Sequence, residues 1–249
     1  MSRPADAPTR PSSTTASDDS PRSGLAATSR HRWLRALGGT SVLLGLVIVA
    51  YLVHLLWWTN VEAEASAEHT LVELQQQWRD PSPGTSLRSS FSPGEGFAIL
   101  HVPSIGITYP IAEGTGKKDV LDRGLVGHYG GTALPADPAG NFAVAAHRTT
   151  HGEPFRQLGK LKAGDLVVVE TAETYFTYQV AGSIPETDPD DVSVLEPVPH
   201  GSPFTTSGRY LTMTTCTPEF SARGRLVVFG ALVAQQPRAQ GEPPALAGR

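Results

Sequence analysis

Three side chains that can do chemistry together fall at the ends of strand-like runs. Cys216, the single cysteine among 249 residues, ends the run RYLTMTTC, and Arg225 follows nine positions later in RLVVFGALV. His147 lies near the end of a third run, NFAVAAHR. A thiol can attack a carbonyl, an imidazole can move a proton, and a guanidinium can stabilise negative charge. These residue types favour nucleophilic catalysis by Cys216.

The strand pattern predicts that Arg225 lies beside Cys216. Pro218 cannot continue a central ladder, so the first strand ends at or just after Cys216. If the next run is its antiparallel neighbour, the start of that strand returns Arg225 to the sulfur. A free thiol with its ordinary pKa of about 8.5 is only ~3% ionised at pH 7, and a nearby cation lowers that pKa. Arg223, two residues earlier, is the alternative for this role.

The elements that must position these residues are short strands. Runs rich in β-branched and aromatic residues alternate with Gly, Pro, Asn and Asp: FAILHVPSI, TYPIAEG, NFAVAAHR, DLVVVETA, TYFTYQVAGSI, RYLTMTTC and RLVVFGALV. Helix-period segments are short, near residues 117–123, 154–161 and 190–195. Strands without long helices between them predict an all-β fold, an antiparallel barrel or sandwich. We expect a closed barrel of seven or eight strands.

An apolar segment before this domain indicates on which side of a membrane the domain lies. The run 36–58 carries no formal charge and exceeds the roughly 20 residues that a membrane-spanning helix needs. Arginines precede it and glutamates follow it, which predicts a single span with a cytoplasmic N-terminus and an extracellular catalytic domain. Cleavage after ASA at residues 65–67 would instead release a secreted protein. The length of the run favours a retained anchor, and an odd cysteine outside the cell suggests a reactive thiol.

The chain therefore divides into five predicted segments. They are a disordered cytoplasmic tail 1–35, a transmembrane anchor 36–58, a helical stalk and linker 59–96, a catalytic barrel 97–234 and a disordered C-terminal tail 235–249. The net charge is only −4, and the sequence has no basic patch interleaved with aromatic residues. This composition excludes nucleic acid as an expected partner.

Three sequence blocks resemble one enzyme family. The blocks are LTMTTCTP followed by the arginine of RLVV, NFAVAAHRTTHG, and GHYGGTALP before it. Together they resemble the sortases, most closely the class E housekeeping type of actinobacteria. The resemblance implies an eight-stranded barrel and a cysteine transpeptidase with Cys216 as nucleophile, His147 as general acid and base, and Arg225 binding substrate and oxyanion. Thr217 departs from the pattern, because many class E members have histidine there.

The resemblance also implies substrates and partners. Cys216 would cleave an LPXTG or LAXTG sorting signal of surface proteins between Thr and Gly, and a peptidoglycan-precursor amine would resolve the thioacyl enzyme at the membrane. The scheme requires no metal or cofactor. Thr215, beside the nucleophile, and His128, in GHYGGT, are further candidates for substrate binding. A strand threonine and a turn histidine are their structural alternatives.

The sequence is also compatible with other functions. A thiol hydrolase would use the same three residues with water as acceptor, and a surface binding module would need only barrel and anchor. His147 and His151 are four apart, a spacing that suggests zinc on a helix but not in a strand followed by a loop. The acidic segment 186–191 could bind calcium, although a solvated loop with a helix N-cap is favoured.

Overall fold

The computed structural model describes residues 25–79 and 90–247. One long helix, α1, spans Leu25–Arg79. The chain divides into two compact units, Met1–Tyr51 and Leu52–Arg249. In the first unit, the described residues form the N-terminal part of α1. The helical span Arg35–Arg79 contains a window of mean hydropathy 2.2, which is apolar and long enough to cross a membrane.

The second unit is built on eight strands that close into a barrel. The bounds are β1 Gly96–Val102, β2 Ile107–Glu113, β3 Val126–His128, β4 Gly140–Ala145, β5 Leu166–Glu170, β6 Thr174–Thr187, β7 Arg209–Thr217 and β8 Gly224–Pro237. Their order around the barrel is β1-β2-β3-β4-β7-β8-β6-β5. The prediction of a closed seven- or eight-stranded barrel is confirmed. The runs read from the sequence match every strand except β3, whose three residues are too few to show a pattern.

Two of the strand pairs are parallel. β2 pairs with β3 and β4 pairs with β7 in parallel, whereas the other pairs of the described barrel are antiparallel. The expectation of a purely antiparallel arrangement is therefore wrong at these pairs. A long connection, residues 146–208, carries the chain from β4 back to the start of β7, as a parallel pair requires. The carboxyl ends of β4 and β7 consequently lie at the same end of the barrel.

Alternation along β4, β7 and β8 separates the core from the chemistry. Fully buried side chains fill the barrel interior from these strands: Phe142, Val144, Leu211, Met213 and Val228. Because neighbouring side chains point to opposite faces, Thr214, Cys216 and Arg225 lie on the outer face. The apolar inner face holds the strands in the barrel, and the side chains of the outer face are available to form a site.

Short 3₁₀ helices occur where the sequence predicted helix-period segments. They span Leu121–Arg123, Leu158–Lys160 and Val192–Leu195. Asp191 precedes the last of these, and its side chain accepts a hydrogen bond from the Ser193 amide. The end of the acidic segment 186–191 is thus a helix N-cap, as favoured from the sequence.

The structure differs from three of the predicted segments. α1 begins at Leu25, inside the tail predicted to be disordered to residue 35, because nothing between 25 and 35 is a proline or glycine that would end a helix. The predicted stalk is helical, but Ala63, Ala67 and Leu74 are buried. At the other terminus, β8 continues to Pro237 and Leu246 packs against Val168 and Tyr175. The predictions for residues 1–24, 80–89 and 248–249 lie outside the described residues.

Candidate active site

A cleft of about 650 Å³ lies where β4 and β7 end and β8 begins. Its lining includes His147, Arg148, Thr215, Cys216, Phe220 and Arg225. The structure thus brings the thiol, the imidazole and the guanidinium named from the sequence into one cavity. Cys216 is partly exposed there, so a substrate can reach its sulfur.

Cys216 and Arg225 are direct cross-strand partners in the antiparallel pair β7 and β8. The Arg225 guanidinium donates from Nη1 to the carbonyls of Ala222 and Gly224, at 3.1 and 3.0 Å. These bonds hold the cation at the rim of the cleft. Arg223 is 71% exposed and its Nε lies 3.4 Å from Oε1 of Glu186. Arg225, rather than Arg223, therefore faces the cleft.

His147 follows β4 and is held by a carboxylate. Its Nε2 donates a hydrogen bond to Oδ1 of Asp122 at 2.8 Å. Burial lowers the pKa of His147, and the hydrogen bond that His147 donates to Asp122 opposes this effect without cancelling it. With Nε2 engaged by Asp122, Nδ1 is the nitrogen left to exchange a proton. The arrangement gives an imidazole that is oriented and mainly neutral at neutral pH.

Asp122, which the sequence did not reveal, forms a group with His147 and His151. The rings of His147 and His151 stack with their centroids 5.0 Å apart, and Nδ1 of His151 lies 3.8 Å from Oδ1 of Asp122. The donor atoms of all three residues lie within 4.8 Å of one another. Two imidazoles and a carboxylate are ligands that zinc accepts. The 2.8 Å separation is that of a hydrogen bond, so Asp122 accounts for the position of His147 without an ion.

Arg148 ties the ends of β4 and β7 together. Its Nη1 donates to the carbonyl of Cys216 at 3.3 Å and to Oγ1 of Thr217 at 3.0 Å. Its Nη2 lies 3.7 Å from Oε1 of Glu219. The threonine that departs from the class E pattern is thus the hydroxyl acceptor for this arginine. Sequence reasoning missed Arg148, although it directly follows His147.

Thr215 and His128 occupy different surroundings. Thr215 lines the cleft, is 3% exposed and donates from Oγ1 to the carbonyl of Ala146 at 2.8 Å. His128 is 2% exposed, and its Nδ1 donates to Oε2 of Glu113 at 2.6 Å. Its ring stacks on Phe142.

His128 therefore belongs to a buried hydrogen-bond network and is not among the described residues that line the cleft. This differs from the contact with substrate that was expected from the sequence. The polar group from GHYGGT that reaches the cleft is Tyr129, whose hydroxyl lies 2.9 Å from Oγ1 of Thr214.

A closed barrel that offers a thiol, an oriented imidazole and a guanidinium in one outer cleft is typical of a thiol-dependent acyl-transfer enzyme. A sequence model described as the Sortase domain matches residues 100–233. Sortase SrtE1 of Streptomyces coelicolor is 49% identical over 216 residues, which cover 85% of this chain and 60% of that protein. Sortase SrtE2 of the same organism is 35% identical over 206 residues, covering 79% of this chain and 81% of that protein.

Solved structures agree with the sequence relatives. Sortase E1 from Streptomyces coelicolor with a tripeptide in the active site aligns with a TM-score of 0.61 at 53% identity, covering 63% of this chain and 99% of that one. Sortase E from Streptomyces avermitilis aligns with a TM-score of 0.57 at 42% identity, again covering 63% and 99%. The chain belongs to the sortase family of cysteine transpeptidases. The class E resemblance read from the sequence is confirmed.

Proposed function

We propose that this chain is a membrane-anchored sortase that cleaves an LPXTG- or LAXTG-type sorting signal between Thr and Gly and transfers the protein to a cell-wall amine. The observation that carries the proposal is the cross-strand pairing of Cys216 with Arg225 in the cleft that also holds His147. The pairing sets a nucleophile beside a cation, and the histidine supplies the proton transfer.

The acylation step uses all three side chains. The reacting form is the minor one in which the Cys216 proton has passed to His147, leaving a thiolate beside an imidazolium. The thiolate attacks the threonine carbonyl, and the oxyanion forms beside the Arg225 guanidinium. The carbon–nitrogen bond then breaks as the imidazolium of His147 gives its proton to the leaving glycine amine. The products are a thioacyl enzyme, a free amine and a neutral imidazole.

The second step reverses the proton transfer. The incoming amine attacks the thioester carbon, forms the new amide bond and loses a proton to His147, while Cys216 departs as thiolate. The enzyme returns to its starting charge state. Neither step needs a redox change, so the protein groups suffice for the balance of atoms and electrons.

Two observations support a peptide substrate and a retained anchor. The solved structure of Sortase E1 from Streptomyces coelicolor holds a tripeptide in its active site. In this chain, Ala67 is 4% exposed and packs with Ala112, Val120 and Leu125. Cleavage after Ala67 would cut the helix within this packed contact. The packing supports an uncleaved span, and the arginines before the apolar run with the glutamates after it support a cytoplasmic N-terminus and an extracellular barrel.

The decisive experiment incubates the full-length chain in detergent with LPXTG and LAXTG peptides and an added amine. Cleavage after Thr together with an amide product is expected, and mass spectrometry should find a thioacyl adduct on Cys216. Cys216→Ala should form no adduct while keeping its folded circular dichroism spectrum. Release of the free acid alone, despite excess amine, would indicate the hydrolase. Turnover by Cys216→Ala would refute the assignment of the nucleophile.

A further inference from the structure

The part of α1 that follows the apolar run docks on the barrel through one face. We define this docking face as Asn60, Ala63, Ala67, Thr70 and Leu74, which recur at intervals of three and four and so share one side of a helix. The last four are buried at 1%, 4%, 6% and 4% exposure, respectively. At the end of the helix, the Arg238 guanidinium lies 5.0 Å from the centroid of the Trp78 ring. These contacts hold the extracellular part of α1 against the barrel.

Ala63 packs against the glycine that ends the Asp122 helix. Gly124 caps the 3₁₀ helix Leu121–Arg123 with φ of 74°. A Cβ at Gly124 would lie 2.7 Å from the carbonyl oxygen of Ala63. Glycine is thus required there both for its left-handed backbone and for the closeness of α1. The approach fixes the C-terminal end of the turn that carries Asp122.

Arg123 joins the same turn to the helix by hydrogen bonds. Its Nε donates to Oγ of Ser66 and its Nη2 to Oγ1 of Thr70, each at 3.3 Å. Asp122 directly precedes it and accepts the hydrogen bond from His147. Two neighbouring residues of one turn therefore reach in different directions, one to α1 and the other to the catalytic imidazole.

Asn60 holds the loop that carries His151. Its Oδ1 accepts from the Gly152 amide at 3.1 Å, and its Nδ2 donates to Oε1 of Glu153 at 3.2 Å. His151 and Glu153 have φ of 54° and 50°, a left-handed conformation that non-glycine residues adopt at a cost. One amide side chain from α1 thus makes two bonds to a strained loop that carries the His151 ring against His147.

We propose that the docking face of α1 is a positioning element of the active site, which fixes Asp122 and the 150–153 loop and through them the orientation of His147. The two routes start at different residues of α1 and meet at the same imidazole. The proposal rests on the proposed function, because its readout is sortase turnover. It makes the segment that links anchor to barrel part of the catalytic apparatus rather than a spacer.

Full-length protein in detergent, assayed with peptide and amine, tests the proposal. Ala63→Leu drives a larger side chain toward Gly124, and Ala65→Leu makes the same change at an exposed position of the same helix. Ala63→Leu should lower kcat roughly 10–100-fold with little change in KM, as expected for a misplaced catalytic group. Ala65→Leu should match the parent enzyme. The limb of the kcat/KM profile that belongs to His147 should move to lower pH in Ala63→Leu alone.

A second pair of variants covers the case in which Ala63→Leu does not fold. Asn60→Ala removes both loop contacts without adding volume, and exposed Glu62→Ala is its control. Asn60→Ala should lower kcat about tenfold while its Tm stays close to that of the control.

Parent-like kcat in folded Asn60→Ala would overturn the positioning role. Absence of turnover in the parent chain itself would instead count against the proposed function, so the two failures are distinguishable.

Discussion

Asp122 and His147 are 25 residues apart in the sequence, and the Asp122 Oδ1 atom lies 2.8 Å from Nε2 of His147. This contact selects which imidazole nitrogen is free, because the nitrogen that donates to a carboxylate cannot at the same time accept a proton. It also opposes the effect of burial on the His147 pKa. The carboxylate therefore influences both the orientation and the charge of the imidazole in the cleft.

Asp122→Asn should lower the maximum of kcat/KM about tenfold and shift one limb of its pH profile. Burial lowers the His147 pKa and the Asp122 hydrogen bond raises it, so removing the carboxylate lowers the pKa further. Less imidazolium is then present at neutral pH. The limb set by His147 should move to lower pH, which a pH series of kcat/KM measures. Exposed Asp119→Asn is the control, and an unchanged limb would exclude electrostatic coupling.

Arg225→Ala should lower kcat/KM by about 10²–10³-fold, the typical cost of losing one oxyanion donor. Arg223→Ala should stay within about threefold, because its exposed pair with Glu186 is worth little. Steady-state kinetics with peptide and amine compare the two variants, with circular dichroism to verify the fold. Equal losses in folded variants would mean that the oxyanion cation is assigned to the wrong arginine.

Arg148→Lys should reduce both stability and turnover although it keeps the charge. A lysine ammonium cannot reproduce the guanidinium geometry that reaches the carbonyl of Cys216, Oγ1 of Thr217 and the Glu219 carboxylate. Loss of a charged hydrogen bond costs about 1.5–3 kcal/mol, which denaturant unfolding can measure. Arg223→Lys, at a side chain that is 71% exposed, is the matched control. A stability equal to that of the control would show that Arg148 does not tie β4 to β7.

The full-length chain should fractionate with membranes, and its barrel should be open to protease added from outside the cell. The expectation rests on the apolar part of α1 and on the burial of Ala67 in a packed contact. Immunoblotting of fractions before and after protease treatment measures it. A soluble mature form that begins at Glu68 would instead establish the secreted alternative.

Local patterns in the sequence predicted the part of the site that local rules determine. Alternation along a strand and the stop at Pro218 were enough to set Arg225 opposite Cys216, because the two strands are joined by a short loop. Asp122 and Arg148 could not be found this way. Their partners lie 25 and 68 residues away, and nothing in the sequence around a loop aspartate or arginine shows whether its side chain contacts the cleft or is solvated.

The docking of α1 was hidden for a different reason. Ala63 and Ala67 are small residues whose burial depends on how closely the barrel approaches, and Gly124 determines that approach from another part of the chain. Similarly, the short strand β3 and the parallel pairing of β4 with β7 form only when the whole barrel closes. The periodicity of apolar residues in a sequence predicts a single helix or strand, whereas these features depend on how two elements pack together.

Closure of the eight described strands into a barrel also limits how a peptide can be recognised. Many peptide-binding domains capture an extended ligand by adding it to an exposed sheet edge, which supplies backbone affinity for almost any sequence. A closed barrel has no such edge. Under the proposed function, a peptide substrate would instead be recognised by the loops and side chains around the Cys216 cleft. Selectivity for the peptide would then depend on the loops, and loop grafting should change it while the strands that carry Cys216 stay the same.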